Sequence, residues 1–115
     1  MAENKNIIYS LIVTIVNRGY ADVVITAARE AGARGSTVLY ARGSGIRADK
    51  TFIGITIQPE KEVVLTLIKK EFVKDVINVI TDKAGLTEEG RGISFVMPVT
   101  RTAGIPGGDQ DFGQV

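Results

Sequence analysis

Ile7 to Val16 reads I-I-Y-S-L-I-V-T-I-V, apolar at odd and even positions alike, with only Ser10 and Thr14 polar. A strand with one wet face alternates, whereas a strand buried on both sides reads as a continuous apolar run. The run therefore predicts a strand in the middle of a sheet. At about ten residues it is too short to cross a membrane, and the polar segment Met1–Asn6 before it has no apolar core of a secretion signal. A cytoplasmic protein without membrane insertion is expected.

The rest of the chain is read outward from that strand. Asn17-Arg18-Gly19 turns into a helix whose apolar positions Tyr20, Val23, Val24, Ala27, Ala28 and Ala31 recur at i, i+3, i+4, i+7, i+8 and i+11. That spacing is one stripe of a helix, and Gly32 follows it at the position of a left-handed C-cap. Ser36–Arg42 predicts a second strand, ended by the glycine turn Gly43-Ser44-Gly45. Glu62–Ile68 predicts the third core strand. Between them, Ser44–Lys61 is expected to project as a loop with some β character at its far end, over Thr51–Ile57. The other reading of this segment is a hairpin packed on the core. Loops of this length in small domains are usually functional or mobile. Lys70–Ala84 predicts a second helix on Phe72, Val73, Val76, Ile77, Ile80 and Ala84, with Gly85 at its C-cap. Ile93–Val99 predicts the last strand, after a loop that ends in Gly90-Arg91-Gly92, and the 101–115 tail is expected to be loose.

The order β-α-β-β-α-β implies an α+β, ferredoxin-like domain with a four-stranded antiparallel sheet and both helices on one face. The first and third strands then sit side by side in the centre. The uncovered face carries either Ile8, Ser10, Ile12, Thr14 and Val16 or Ile7, Tyr9, Leu11, Val13 and Ile15, and both sets are largely apolar. Soluble monomers rarely leave such a face in water, so assembly through it is expected.

Composition narrows the chemistry. The 115 residues, one domain, contain no cysteine and no histidine, which removes disulfides, thiolate chemistry, His-ligated metals and Ser-His catalysis. A net charge of +1 gives no general affinity for nucleic acid. Glu60, Glu62, Glu88 and Glu89 are the carboxylates close enough in sequence to act as acid–base pairs, and a solvated loop explains them better than an enzyme does. No metal site is expected. Two glycine turns beside strand ends offer backbone N–H groups to an anion, with Arg42, Arg47, Lys50, Arg91 and Arg101 as nearby cations.

The pattern A-G-x-x-G-x-T-V followed, after four residues, by G-x-G occurs as Ala31-Gly32, Gly35, Thr37-Val38 and Gly43-Ser44-Gly45. The turn Gly90-Arg91-Gly92 is followed by Phe95-Val96 and Pro98-Val99. In these segments and in element order, over roughly residues 7 to 100, the chain resembles the PII signal-transduction family. The resemblance implies a homotrimer with adenine-nucleotide sites (ATP, ADP or AMP) in clefts between subunits. It places Thr37 beside the base, Gly43, Ser44 and Gly45 at the base of a T-loop (44–61), and Gly90, Arg91 and Gly92 on a B-loop (85–92). It also implies a protein partner, a membrane transporter or a metabolic enzyme, reached by the T-loop through Arg47, Asp49, Lys50, Phe52 and Ile53.

The chain departs from the family at several of these places. Arg91 stands where PII proteins carry aspartate, and Ile93 where they carry lysine. The basic pair that follows the last strand in the family is replaced by Ala103-Gly104-Ile105-Pro106, leaving Arg101 upstream as the substitute cation. The T-loop is short and lacks the uridylylated tyrosine motif, and Glu62 and Val64 stand where the family places lysine and aspartate for ATP and 2-oxoglutarate. A nucleotide-responsive regulator is thus expected, bound less dependently on magnesium or 2-oxoglutarate. The alternative on the same topology is an ACT-like oligomeric amino-acid sensor, and fold alone does not choose between them.

Overall fold

The structure, a computed structural model, describes residues 7–43, 50–52, 55–57 and 59–105. Its elements are β1 (Tyr9–Asn17), α1 (Ala21–Glu30), β2 (Thr37–Arg42), β3 (Lys50–Phe52), β4 (Ile55–Ile57), β5 (Glu60–Lys69), α2 (Val73–Ala84) and β6 (Gly92–Val99). A single 3-10 turn, Lys70–Phe72, leads from β5 into α2. The main sheet is antiparallel with order β2-β5-β1-β6. The run that is apolar on both sides is a central strand, beside β5, as its pattern predicts. This is the ferredoxin-like arrangement expected from the element order.

Both helices pack on one face. Val24, Ala27 and Ala28 of α1 and Val76, Ile80 and Ala84 of α2 close over Ile12, Val16, Val64 and Ile68 of the two central strands. Register settles which set of β1 side chains is covered. Ile12 pairs with Thr66 and Val96, and Thr14 with Val64 and Ser94, so the even-numbered set faces the helices. The odd-numbered set, Tyr9, Leu11, Val13 and Ile15, lies on the open face with Val63, Leu65 and Leu67 of β5. Edge residues Leu39, Ile93, Phe95 and Met97 extend that face and are exposed.

The covered face contains buried polar groups, and Thr14, Thr66 and Glu62 among them each have a partner. The Thr14 hydroxyl bonds that of Ser94 at 2.9 Å, and Ser36 bonds Thr66 at 3.0 Å. Glu62, 8% exposed, accepts the backbone N–H of Ala21 at 2.9 Å. Helix α1 has no side-chain cap from its own Tyr20, so a carboxylate from β5 satisfies one of its free N–H groups.

Several boundaries differ from expectation. Glu60 and Lys61 are strand residues, not loop: β5 pairs Lys61 with Ala41 and Glu60 with Arg42. Pro59 directly precedes that strand, where its missing N–H is harmless, and its carbonyl accepts from the Gly43 N–H at 3.3 Å. The 51–57 segment is neither plain loop nor a strand of the main sheet. Lys50–Phe52 and Ile55–Ile57 pair with each other as a separate two-stranded sheet. Gly92 opens β6 and so leaves the 85–92 loop. Tyr20 and Val23, counted in the stripe of α1, are exposed, and Ala21 is buried in their place. Gly85 caps α2 in the left-handed conformation (φ 70°, ψ 37°) as its position predicts. Within the described residues, 101–105 carry no helix or strand, and the rest of the 101–115 tail lies outside them.

Candidate functional site

Each site residue is located by the end of the sheet to which its strand delivers it. β1 ends at Asn17, β5 begins at Glu60, β2 ends at Arg42, and β6 begins at Gly92. In an antiparallel sheet these four termini share one end, so Gly43 and Gly90–Gly92 arrive there together. They stand on opposite edges, however: the strand order puts β5 and β1 between them, three spacings or about 14 Å.

A row of side chains spans that gap. The Asn17 side-chain N–H donates to the Gly90 carbonyl at 2.9 Å, and the Lys61 ammonium donates to the Asn17 amide oxygen at 2.6 Å. A Cβ on Gly43 would lie 3.8 Å from Cγ of Lys61, so the lysine stem passes alongside Gly43. The two turns are thus joined across all four strands through Asn17 and Lys61.

The turns are not alike. Gly43 is absent from the positive-φ glycines, so its backbone suits any residue. Gly90 has φ +85° and Gly92 φ +145°, and a Cβ on Gly92 would come within 2.5 Å of the Ile15 carbonyl oxygen. The second turn needs its glycines; the first, at Gly43, does not. Arg91 between them folds back on the protein. Its guanidinium lies 5.3 Å from the centroid of the Tyr20 ring, donates to Glu88 at 3.3 Å, and rests against Gly85. That posture combines a cation–π contact with an ion pair and holds the arginine in one place.

On the helix side of the same end, beyond the start of α1, lies an open cleft of about 660 Å³ lined by Arg18, Tyr40, Ala41, Arg42, Glu60, Lys61 and Glu62. Its charges are mostly satisfied within the protein. Arg18 pairs with Glu60, Lys61 with Asn17, and Glu62 with the α1 backbone. Arg42 has no ion-pair partner among the described residues. Tyr40, 80% exposed, stands beside it on the same face of β2.

The other anticipated residues are placed elsewhere. Thr37 pairs with Leu65 at mid-sheet on the open face, six residues or roughly 20 Å along β2 from Gly43. Arg101 follows the far end of β6, at least about 24 Å from Gly92. Within one chain neither joins the two turns. Ser44, Gly45, Arg47, Asp49 and Ile53 lie outside the described residues, while Lys50 and Phe52 fall in β3. Sequence reasoning missed Asn17, Lys61, Tyr20 and Glu88 as site residues. Asn17 was visible as part of a turn, but only the β1–β5 register, which sets Asn17 opposite Lys61, brings the pair together. Among the described residues no cluster of three or more metal-ligating side chains occurs, and no helix is long and apolar enough to cross a membrane.

Comparison with known proteins bears on the same elements. The family model for nitrogen regulatory protein P-II matches residues 9–108. Among solved structures, that of Arabidopsis thaliana PII bound to citrate is similar, with 30% sequence identity and a TM-score of 0.62 over 80% of this chain and 78% of that one. No curated protein sequence matches.

Proposed function

The chain belongs to the nitrogen regulatory protein P-II family, and on that premise we propose that it binds an adenine nucleotide between subunits and signals through the segment between Gly43 and Glu60. It is a P-II-type regulatory protein, and the ACT-like alternative falls with the family match. The observation that carries the nucleotide reading is the delivery of two glycine turns to the same end of the sheet, on opposite edges and tied through Lys61 and Asn17. Backbone N–H groups of Gly90 and Gly92 and of Ser44 and Gly45 are the phosphate donors, and Gly43 lines the site with its own N–H held by Pro59. The cations are Arg91 and Arg42, which has no ion-pair partner among the described residues. A planar guanidinium fork binds two phosphate oxygens at once.

Thr37 and Arg101 lie too far from these turns in one chain to share a ligand with them, so they complete the site from a neighbouring subunit. The open apolar face of the sheet supports that assembly, a homotrimer. The Arabidopsis relative has citrate bound, an anion, in keeping with a family site that takes anionic effectors. The output segment, with Arg47, Asp49, Lys50, Phe52 and Ile53, contacts a partner protein, a transporter or a metabolic enzyme in the cytoplasm. No nucleic acid takes part.

Calorimetric titration with ATP, ADP and AMP tests this. Saturable binding of at least one nucleotide is expected, and Arg91→Ala weakens it about tenfold, the order of one charge-assisted hydrogen bond. An absence of binding by all three removes the nucleotide reading. A variant lacking residues 46–57 is expected to keep the nucleotide and lose the partner.

A further inference from the structure

We propose that Asn17 is the positioning residue that couples the Gly90 turn to the base of the segment between Gly43 and Glu60. The inference rests on the regulatory reading above for its purpose, but its geometry stands alone. Asn17 is the last residue of β1 and touches both regions with one side-chain amide. The orientation of that amide is determined by its partners. An ammonium only donates, so Lys61 requires the oxygen; a carbonyl only accepts, so Gly90 requires the N–H group. Asparagine serves both at once, and aspartate would serve Lys61 alone. Because the amide is planar and rigid, a rotation that follows one partner leaves the other.

Lys61 is two residues from Pro59, whose carbonyl accepts from the Gly43 N–H and closes the base of the intervening segment. The Lys61 stem also passes 3.8 Å from where a Cβ on Gly43 would stand, so the place of its ammonium bears on the hinge of that segment. A phosphate oxygen is a stronger acceptor for an ammonium than a neutral amide oxygen is. A phosphate at the Gly90–Gly92 donors draws Lys61 from Asn17, releases the amide, and loosens the Gly43–Pro59 closure. Occupancy of the turn is thereby passed through Asn17 and Lys61 to the Gly43–Pro59 closure.

The first test uses the full-length protein with no ligand. Amide hydrogen exchange is read at Glu88 and Arg91, bonded within the turn to Gly85 and Glu88, and at Gly43, bonded to Pro59. Lys61→Met touches nothing in the turn, yet is expected to speed exchange at Arg91 about threefold or more. Asn17→Asp is expected to speed Arg91 and leave Gly43 at the wild-type rate, whereas Asn17→Ala speeds both. An unchanged Arg91 rate in Lys61→Met overturns the proposal, as does an equal response of both regions to Asn17→Asp. The second test adds ADP to saturation, checked by calorimetry for each variant. The wild type is expected to change protection across residues 43–59, and Asn17→Asp to lose at least three-quarters of that change. An undiminished change in Asn17→Asp overturns the coupling. If no nucleotide binds the wild type, the nucleotide reading fails while the ligand-free measurements still decide the role of Asn17.

Discussion

The two faces of the sheet invert the usual expectation. The face under the helices holds the buried polar residues Ser10, Thr14, Thr66 and Glu62, whereas the face open to water presents Leu11, Val13, Ile15, Val63, Leu65, Leu67, Phe95 and Met97. A face meant for solvent would have the polar residues. The covered face tolerates the Thr14 and Thr66 hydroxyls because they meet those of Ser94 and Ser36, which makes the buried pairs close to neutral and fixes register. On the open face Leu11, Ile15, Val63, Leu65 and Leu67 adjoin the exposed Phe95 and Met97, and an apolar area of this kind is the signature of an interface. The difference teaches that one face holds the chain together and the other is left apolar for a surface outside it, which the proposed trimer supplies.

The largest expected effect breaks the open face. Leu65→Asp places an unpaired carboxylate at its centre, where burial in an interface costs several kcal/mol. Light scattering is expected to fall from the mass of the assembly to that of one chain. An unchanged assembly mass would show that the open face is not the interface.

Gly92→Ala strikes the point on which both faces hang. Its Cβ would meet the Ile15 carbonyl at 2.5 Å and its φ of +145° disfavours a side chain. A loss of about 3 kcal/mol in denaturant unfolding is expected, while Gly43→Ala, with room for a methyl, is expected to cost less than about 1 kcal/mol. Equal costs would erase the distinction between the two turns.

A finer cut uses adjacent residues on β5. Val64 is fully buried under the helices and Val63 half-buried on the open face. In the Leu65→Asp background, Val64→Ala is expected to cost about 2 kcal/mol and Val63→Ala under half of that. In the assembled protein the cost of Val63→Ala should rise with protein concentration-dependent stability, since its burial is then completed by a neighbour. The smallest effect is Thr14→Val, which removes one of a hydroxyl pair and is expected to lower stability by about 1 kcal/mol with assembly intact. A change in assembly mass there would mean that the two faces are not separable.

The legible part of the site was the part written locally. Glycine at 43, 90 and 92 is visible as turn chemistry, and the spacing of Ala31-Gly32, Gly35, Thr37-Val38 and Gly43-Ser44-Gly45 carries the family. What these turns do to each other is not local. Asn17 and Gly90 are separated by 73 positions and Lys61 and Asn17 by 44, so nothing in the neighbourhood of any of them announces the row. Arg91 was visible as a cation between glycines; its seat on Tyr20 and against Gly85 was not, since it depends on where α1 begins beside the end of α2.

By itself the sequence determined the elements and their kinds. Periods of two and of 3.6 residues are properties of a single segment, and so are a glycine after a helix and an apolar run too short for a membrane. It also determined that β1 is central, because a strand without a polar face has no edge position to take. Only the tertiary structure decided which face of β1 the helices cover. A pattern apolar on both sides carries no preference, and the choice is made by the pairing of Ser94 with Thr14, of Ser36 with Thr66, and of Glu62 with the start of α1. Those contacts exist only once the strands lie in register, and the same register that buries Val64 delivers Lys61 to Asn17.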